Sequence, residues 1–143
     1  MKITVINGPN LNMLGYRDKN IYGAKTYEEM ISKIETFCVQ NGVNVNFFQS
    51  NSEGAIIDAL QRAFFEGVDG IVINPGAYSH YSIAIRDALE IMKCPVYEVH
   101  LSDIHNREDF RDRTVTGEVC TGIISGKRTE GYIEAVRNII GKG

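Results

Sequence analysis

The sequence predicts an α/β fold: a parallel sheet with helices on both faces. Three observations carry this reading. Short β-branched runs alternate with longer stretches of helical apolar period, the alternation persists from end to end, and glycines or capping residues mark the changes. Ile3 to Ile6 reads as the first strand, closed by Asn7-Gly8-Pro9-Asn10. Thr26 and Glu29 have capping-box spacing and open a helix on which Met30, Ile31, Ile34, Phe37 and Cys38 recur, with Gly42 as its stop. Val43 to Phe48 is the second strand. Ser52 caps a helix carrying Ile56, Ile57, Leu60, Ala63 and Phe64, ended by Gly67. Gly70 to Asn74 is the third strand, and the next helix presents Ile83, Ala84, Ala88 and Leu89. Pro95 to His100 and Gly122 to Ser125 complete the strands. The last helix runs from about Gly131 to Ile140. Right-handed crossovers then restrict the sheet to a flavodoxin-like order or a close relative.

With 143 residues and neither repeat nor linker, the chain reads as one domain, 1–143. Hydrophobic residues at 43% and charged residues at 23% are ordinary globular proportions, which excludes disorder. A net charge of −3 disfavours a nucleic-acid binder. No apolar run approaches the roughly 20 residues of a membrane span, and the start lacks the pattern of a signal peptide. Cys38, Cys94 and Cys120 form no CxxC pair, so neither a disulfide framework nor a zinc site is expected, and a reducing cytoplasm is the expected location. One feature breaks the rhythm. Residues 7–25 separate the first strand from the first helix, and so long a connection reads as a lid or binding loop, centred on about 12–25.

Ligands of open parallel sheets bind beyond the carboxyl ends of the strands. Those ends carry Asn7 to Asn12, Asn74 to His80 and Glu98 to Ser102, all rich in polar groups. On an extended strand Glu98, His100 and Ser102 point the same way. A carboxylate beside an imidazole suits a general acid; a histidine merely satisfied at a strand end is the competing reading. Ser79-His80 begins a helix, where anions and hydroxyls are welcome, although a simple polar cap has the same look. Asn10 and Asn12 read equally as turn residues. His80, His100 and His105 match no common metal-ligand spacing. No GxSxG elbow, P-loop or GxGxxG is present. Arg17 precedes Tyr22 in the long connection, and Arg107, Arg111 and Arg113 follow strand four. Forming a tyrosinate at pH 7 costs about 4 kcal/mol, which neighbouring guanidinium groups in a closed site can offset. Tyr22 is thus a credible base, but spacing does not select it over Tyr16, Tyr27, Tyr78 or Tyr81.

Taken together, these segments resemble the type II 3-dehydroquinate dehydratases over essentially the whole chain. Ile6-Asn7-Gly8-Pro9-Asn10-Leu11-Asn12 matches the family's start, and Arg17 followed by Ile21-Tyr22-Gly23 its catalytic loop. Gln49 to Gly54, Ile73 to Ala77, Ile85 to Ala88, Glu98 to Ser102 and Ile104 to Arg111 continue the match in register. The chain departs from the family pattern at Asp18-Lys19 and at Lys127-Arg128-Thr129-Glu130.

The resemblance implies a flavodoxin-like three-layer sandwich with a five-stranded parallel sheet in the order 2-1-3-4-5. It implies no metal and no cofactor, and a homo-oligomer, a dodecamer built from trimers. The implied reaction is the anti elimination of water from 3-dehydroquinate through an enolate, giving 3-dehydroshikimate, the third step of the shikimate pathway or the same reaction in quinate breakdown. Carried over by position, Tyr22 is the base, held ionised by Arg17 and helped by Arg111. Asn10, through a water, steadies the enolate. His100 protonates the leaving hydroxyl and Glu98 orients it. Asn74 and the backbone N–H groups of Leu101 and Ser102 take the substrate carboxylate, His80 and Arg111 hold ring hydroxyls, and Asp87 reaches a neighbouring subunit's site. Two rival readings are a flavodoxin-like nucleotide- or flavin-binding module and a dehydration through a Schiff base on Lys19.

Overall fold

In a computed structural model, which describes residues 1–23 and 25–142 apart from the side chains at 106, 109 and 142, strand β1 (Lys2–Asn7) lies inside a five-stranded sheet. It is flanked by β2 (Asn44–Gln49) and β3 (Gly70–Asn74); β4 (Val96–His100) and β5 (Gly122–Ser125) follow. The order is β2-β1-β3-β4-β5 and every pairing is parallel, the flavodoxin-like topology expected from the alternation. Residues 24 and 143, which fall within the expected lid and domain, lie outside the described residues.

Helix α1 (Lys19–Tyr22) stands in the connection after β1, and α2 (Tyr27–Gln40) leads to β2. Helices α3 (Glu53–Glu66), α4 (Ile83–Glu90) and α5 (Thr129–Lys142) follow β2, the turn after β3, and β5 respectively. The period of two along each strand divides the core. Ile3, Val5, Val72, Tyr97 and Val99 pack against Met30, Ile34 and Cys38 of α2 and Tyr132, Val136 and Ile139 of α5. Ile6, Ile71, Ile73 and Val96 meet Ile56, Leu60 and Ala63 of α3 and Ile85 and Leu89 of α4. Each such fully buried aliphatic side chain contributes about 1.5–3 kcal/mol, so the sheet is held from both sides.

The helix starts obey local chemistry. Thr26 and Glu29 form a reciprocal capping box, while Ser52 and Ser82 accept from the backbone N–H of Ala55 and Ile85. Two expectations need correction. The connection after β1 is not free of regular structure: Asp18 accepts from the Asn20 N–H and starts the short α1. Helix α5 begins at Thr129, not Gly131. Gly131 sits inside that helix because of close packing, since a Cβ there would lie 3.2 Å from Val99 Cγ1. Among the described residues, no helix is long and apolar enough to cross a membrane.

Candidate active site

The sheet register brings Asn7 and Asn74 side by side at the carboxyl ends of β1 and β3, with β4 ending beside them at His100. A cavity of about 90 Å³ opens over these ends. Its wall comprises Asn10 and Arg17, Tyr22 of α1, Asn74, His80, His100, Leu101, Ser102, Arg107 and Arg111. A broader hollow of about 760 Å³ between α2 and α5 is lined by Glu28, Lys33, Phe37 and Arg137 and gathers no comparable set of reactive groups. The smaller space gathers the reactive groups.

Tyr22 reaches it from α1, half-buried. Its hydroxyl oxygen accepts from Arg17 Nη2 and from Arg107 Nη1, each at 2.8 Å, and the Arg17 guanidinium lies 3.8 Å from the ring centroid. Both donors are guanidinium groups, so both hydrogen bonds are charge-assisted. Burial lowers the Arg17 guanidinium from its usual range; the Tyr22 oxygen opposes this, and the charges of Arg107 and Arg111 add to it. Three crowded guanidinium groups make a place for negative charge.

Arg111, which the resemblance has helping Arg17 to hold Tyr22 ionised, lines the same cavity and its charge acts on Arg17. Its Nε lies 2.9 Å from Glu108 Oε2, and the two guanidinium groups that donate to the phenol are those of Arg17 and Arg107. Arg107 Nη1 also donates to Ser102 Oγ at 3.3 Å, tying the segment after β4 to the strand end.

His100 lines the same cavity. Its Nε2 donates to Glu98 Oε2 at 2.7 Å, which leaves Nδ1 as the other ring nitrogen. Glu98 has no exposed surface, and a buried carboxylate needs donors. Thr114 Oγ1 supplies one at 2.5 Å and Thr116 Oγ1 a second, while Thr114 Oγ1 itself accepts from the Gly117 N–H. His80 lies 6.4 Å from His100, ring centre to ring centre. Its Nδ1 donates to the Arg113 carbonyl at 2.7 Å, since a carbonyl can only accept, and Nε2 is the nitrogen left.

Asn74 is fixed from both ends of its amide. Oδ1 accepts from the Gly76 N–H, and Nδ2 donates to Tyr132 Oη at 3.0 Å, leaving Nδ2 one further hydrogen. Tyr132 Oη donates to Asn7 Oδ1 at 2.6 Å, and Asn7 Nδ2 donates to Tyr27 Oη at 3.3 Å. Burial pushes the phenols of Tyr132 and Tyr27 up from the usual range, so both remain hydroxyl groups where Tyr22 is flanked by cations. The Leu101 and Ser102 carbonyls accept from the N–H groups of Arg128 and Gly126. In a trans peptide the Ser102 N–H therefore points the opposite way from the Leu101 carbonyl.

Asn10 has a left-handed backbone, φ 69°, pinned by its N–H donating to Asn51 Oδ1. Asp87 stands apart, exposed on α4 and outside the cavity wall. Lys19 is exposed on α1 and does not line the cavity. His105 pairs with Asp112 at the surface, so the three histidines share no site.

A family model described as dehydroquinase class II matches residues 1–140. The chain belongs to that family. The 3-dehydroquinate dehydratase of Thermotoga maritima is 59% identical over 139 residues, covering 97% of this chain and 94% of that protein. That of Clostridium perfringens is 55% identical over 142 residues, covering 99% of each. The crystal structure of type II dehydroquinase from Butyrivibrio crossotus superposes with a TM-score of 0.96 at 53% identity, covering 98% of this chain and 97% of that one.

In this class II dehydroquinase, the sequence named Arg107 without assigning it to Tyr22 and did not single out Thr114, Thr116 or Tyr132 for the site. Three arginines follow strand four, and nothing local tells which one returns to Tyr22. A buried carboxylate demands donors, which was the one available hint of the threonines.

Proposed function

We propose that in this 3-dehydroquinate dehydratase Tyr22, as phenolate, takes the C2 proton and His100 returns a proton to the departing C1 hydroxyl. The observation that carries the reading is the Tyr22 oxygen accepting from both Arg17 and Arg107. Removing a proton beside a ketone leaves the electron pair as an enolate, and Asn10 at the cavity wall would steady that oxygen through a water. The enolate then expels the C1 oxygen. Hydroxide leaves poorly at neutral pH, so the proton from His100 converts it to water, with Glu98 fixing the ring. Electrons from the C2–H bond become the new double bond, and the product is the conjugated enone.

The substrate carboxylate would rest on the remaining Asn74 N–H and the Leu101 and Ser102 amides. His80 Nε2 and Arg111 would hold the ring hydroxyls. We further propose that the chain works as one catalytic domain with 12–25 as its lid, in the cytoplasm, within a homo-oligomer of twelve built from trimers in which Asp87 reaches a neighbour's site.

Following the ultraviolet absorbance of the enone tests the assignment. Tyr22→Phe lowers kcat about 100- to 10,000-fold with wild-type stability. Near wild-type turnover by that variant would remove Tyr22 from the role of base.

A further inference from the structure

We propose that Arg128 is a positioning residue that latches α1, and with it Tyr22, over the cavity; the functional consequence rests on Tyr22 being the base. Arg128 joins two walls of the site. Its backbone N–H donates to the carbonyl of Leu101 at 3.1 Å, just beyond β4. Its side chain crosses to the other wall, where Nη2 donates to the Asn20 carbonyl of α1 at 3.3 Å. On the way it lies flat on Gly23, the residue that ends α1: a Cβ at Gly23 would stand 3.2 Å from Arg128 Cδ and 3.7 Å from Nε. A side chain at position 23 would displace this stem. A helix of four residues does not hold together alone. Its amides at Ile21, Tyr22 and Gly23 bond only back to Asp18 and Lys19, so an outside contact decides how long they stay bonded.

The backbone of Arg128 supports the same reading. It is left-handed, φ 54°, a conformation that costs an L side chain free energy and that glycine adopts freely. Stability alone favours glycine there. An arginine held in that conformation, with its guanidinium on the lid, trades local backbone ease for closure. When the latch is lost, the closed, binding-competent fraction falls, and apparent substrate affinity falls by the same factor; saturating substrate restores closure.

Arg128→Gly separates these effects. Amide hydrogen exchange at Ile21, Tyr22 and Gly23 should quicken about tenfold or more while the amides of β1 and β3 keep wild-type protection. KM for 3-dehydroquinate should rise about fivefold, the worth of one hydrogen bond, with kcat within about twofold of wild type. The melting temperature should stay level or rise. Unchanged exchange at residues 21–23, unchanged KM, or a fall in melting temperature with faster exchange throughout the sheet would each overturn the latch. Arg128→Met, which keeps the stem over Gly23 and drops the donor, must shift exchange and KM in the same direction. Exchange reads the lid whatever Tyr22 does, and turnover by Tyr22→Phe tests that role separately.

Discussion

Arg107 donates to the hydroxyl oxygen of Tyr22 at 2.8 Å from 85 positions further along the chain. Arg17, five positions before Tyr22, donates to the same oxygen at the same distance. The phenol thus sits between a local and a remote cation, and only folding assembles the pair. Arg107 also reaches Ser102 Oγ, so one guanidinium serves the proposed base and the strand end proposed to take the substrate carboxylate.

Arg107→Lys should therefore damage catalysis while keeping the charge. An ammonium is a point donor without the planar fork that spans Tyr22 and Ser102. We expect kcat to fall about 10- to 100-fold. Steady-state kinetics checks this; wild-type turnover would show that Arg17 suffices.

Much of the fold was legible because its signals are local. Thr26 and Ser52 cap helices through contacts three residues away, whereas α4 is opened by Ser82 rather than by Ser79-His80, which lie in a 3-10 turn before it; strand alternation fixes which side chains face which helix layer. Glu98 and His100 were paired in advance by their spacing of two on β4, and the contact at 2.7 Å follows from the pleat. What stayed hidden depends on chain paths without period. The segment from Ile104 to Val119 runs through three short 3-10 turns, and their course decides that Arg107 meets Tyr22 and that Thr114 and Thr116 meet Glu98. Gly131 misled for a related reason: close packing on Val99, a tertiary fact, placed a glycine inside a helix.

Gly117→Ala should injure the proposed acid, His100, from a distance. A Cβ at position 117 would lie 2.6 Å from Ile123 Cδ1 and 2.9 Å from Glu98 Oε2. The Ile123 side chain is partly exposed and can yield, whereas the enclosed Glu98 carboxylate moves only by loosening its bonds to His100, Thr114 and Thr116. We expect a stability loss of about 1–3 kcal/mol and a fall in kcat of about tenfold. Urea unfolding and the enone assay measure the two; unchanged kcat would show that Glu98 tolerates displacement.

Tyr132→Phe tests the support of Asn74. Removing the hydroxyl leaves Asn7 Oδ1 without its donor and Asn74 Nδ2 without its acceptor, both buried. The cost is about 1–3 kcal/mol, and an Asn74 amide released at one end should raise KM more than it lowers kcat. Equal KM in variant and wild type would mean the Gly76 N–H alone orients that amide.

Alkaline stability carries a signature of Cys120. Burial, reinforced by the negative charge of Glu98, pushes its thiol from 9.0 up to about 12. Above pH 9 the unfolded chain loses this proton while the folded chain keeps it, so folding binds the extra proton and stability falls as pH rises. The contribution is whole below pH 9 and is progressively lost toward pH 12. Cys120→Ala removes the titration. By pH 10.5 the stability of the wild type relative to the variant should have dropped by about 1–2 kcal/mol from its value at pH 7.5. Denaturant unfolding at both pH values reads the difference directly, and parallel curves for the two proteins would mean the thiol ionises alike folded and unfolded.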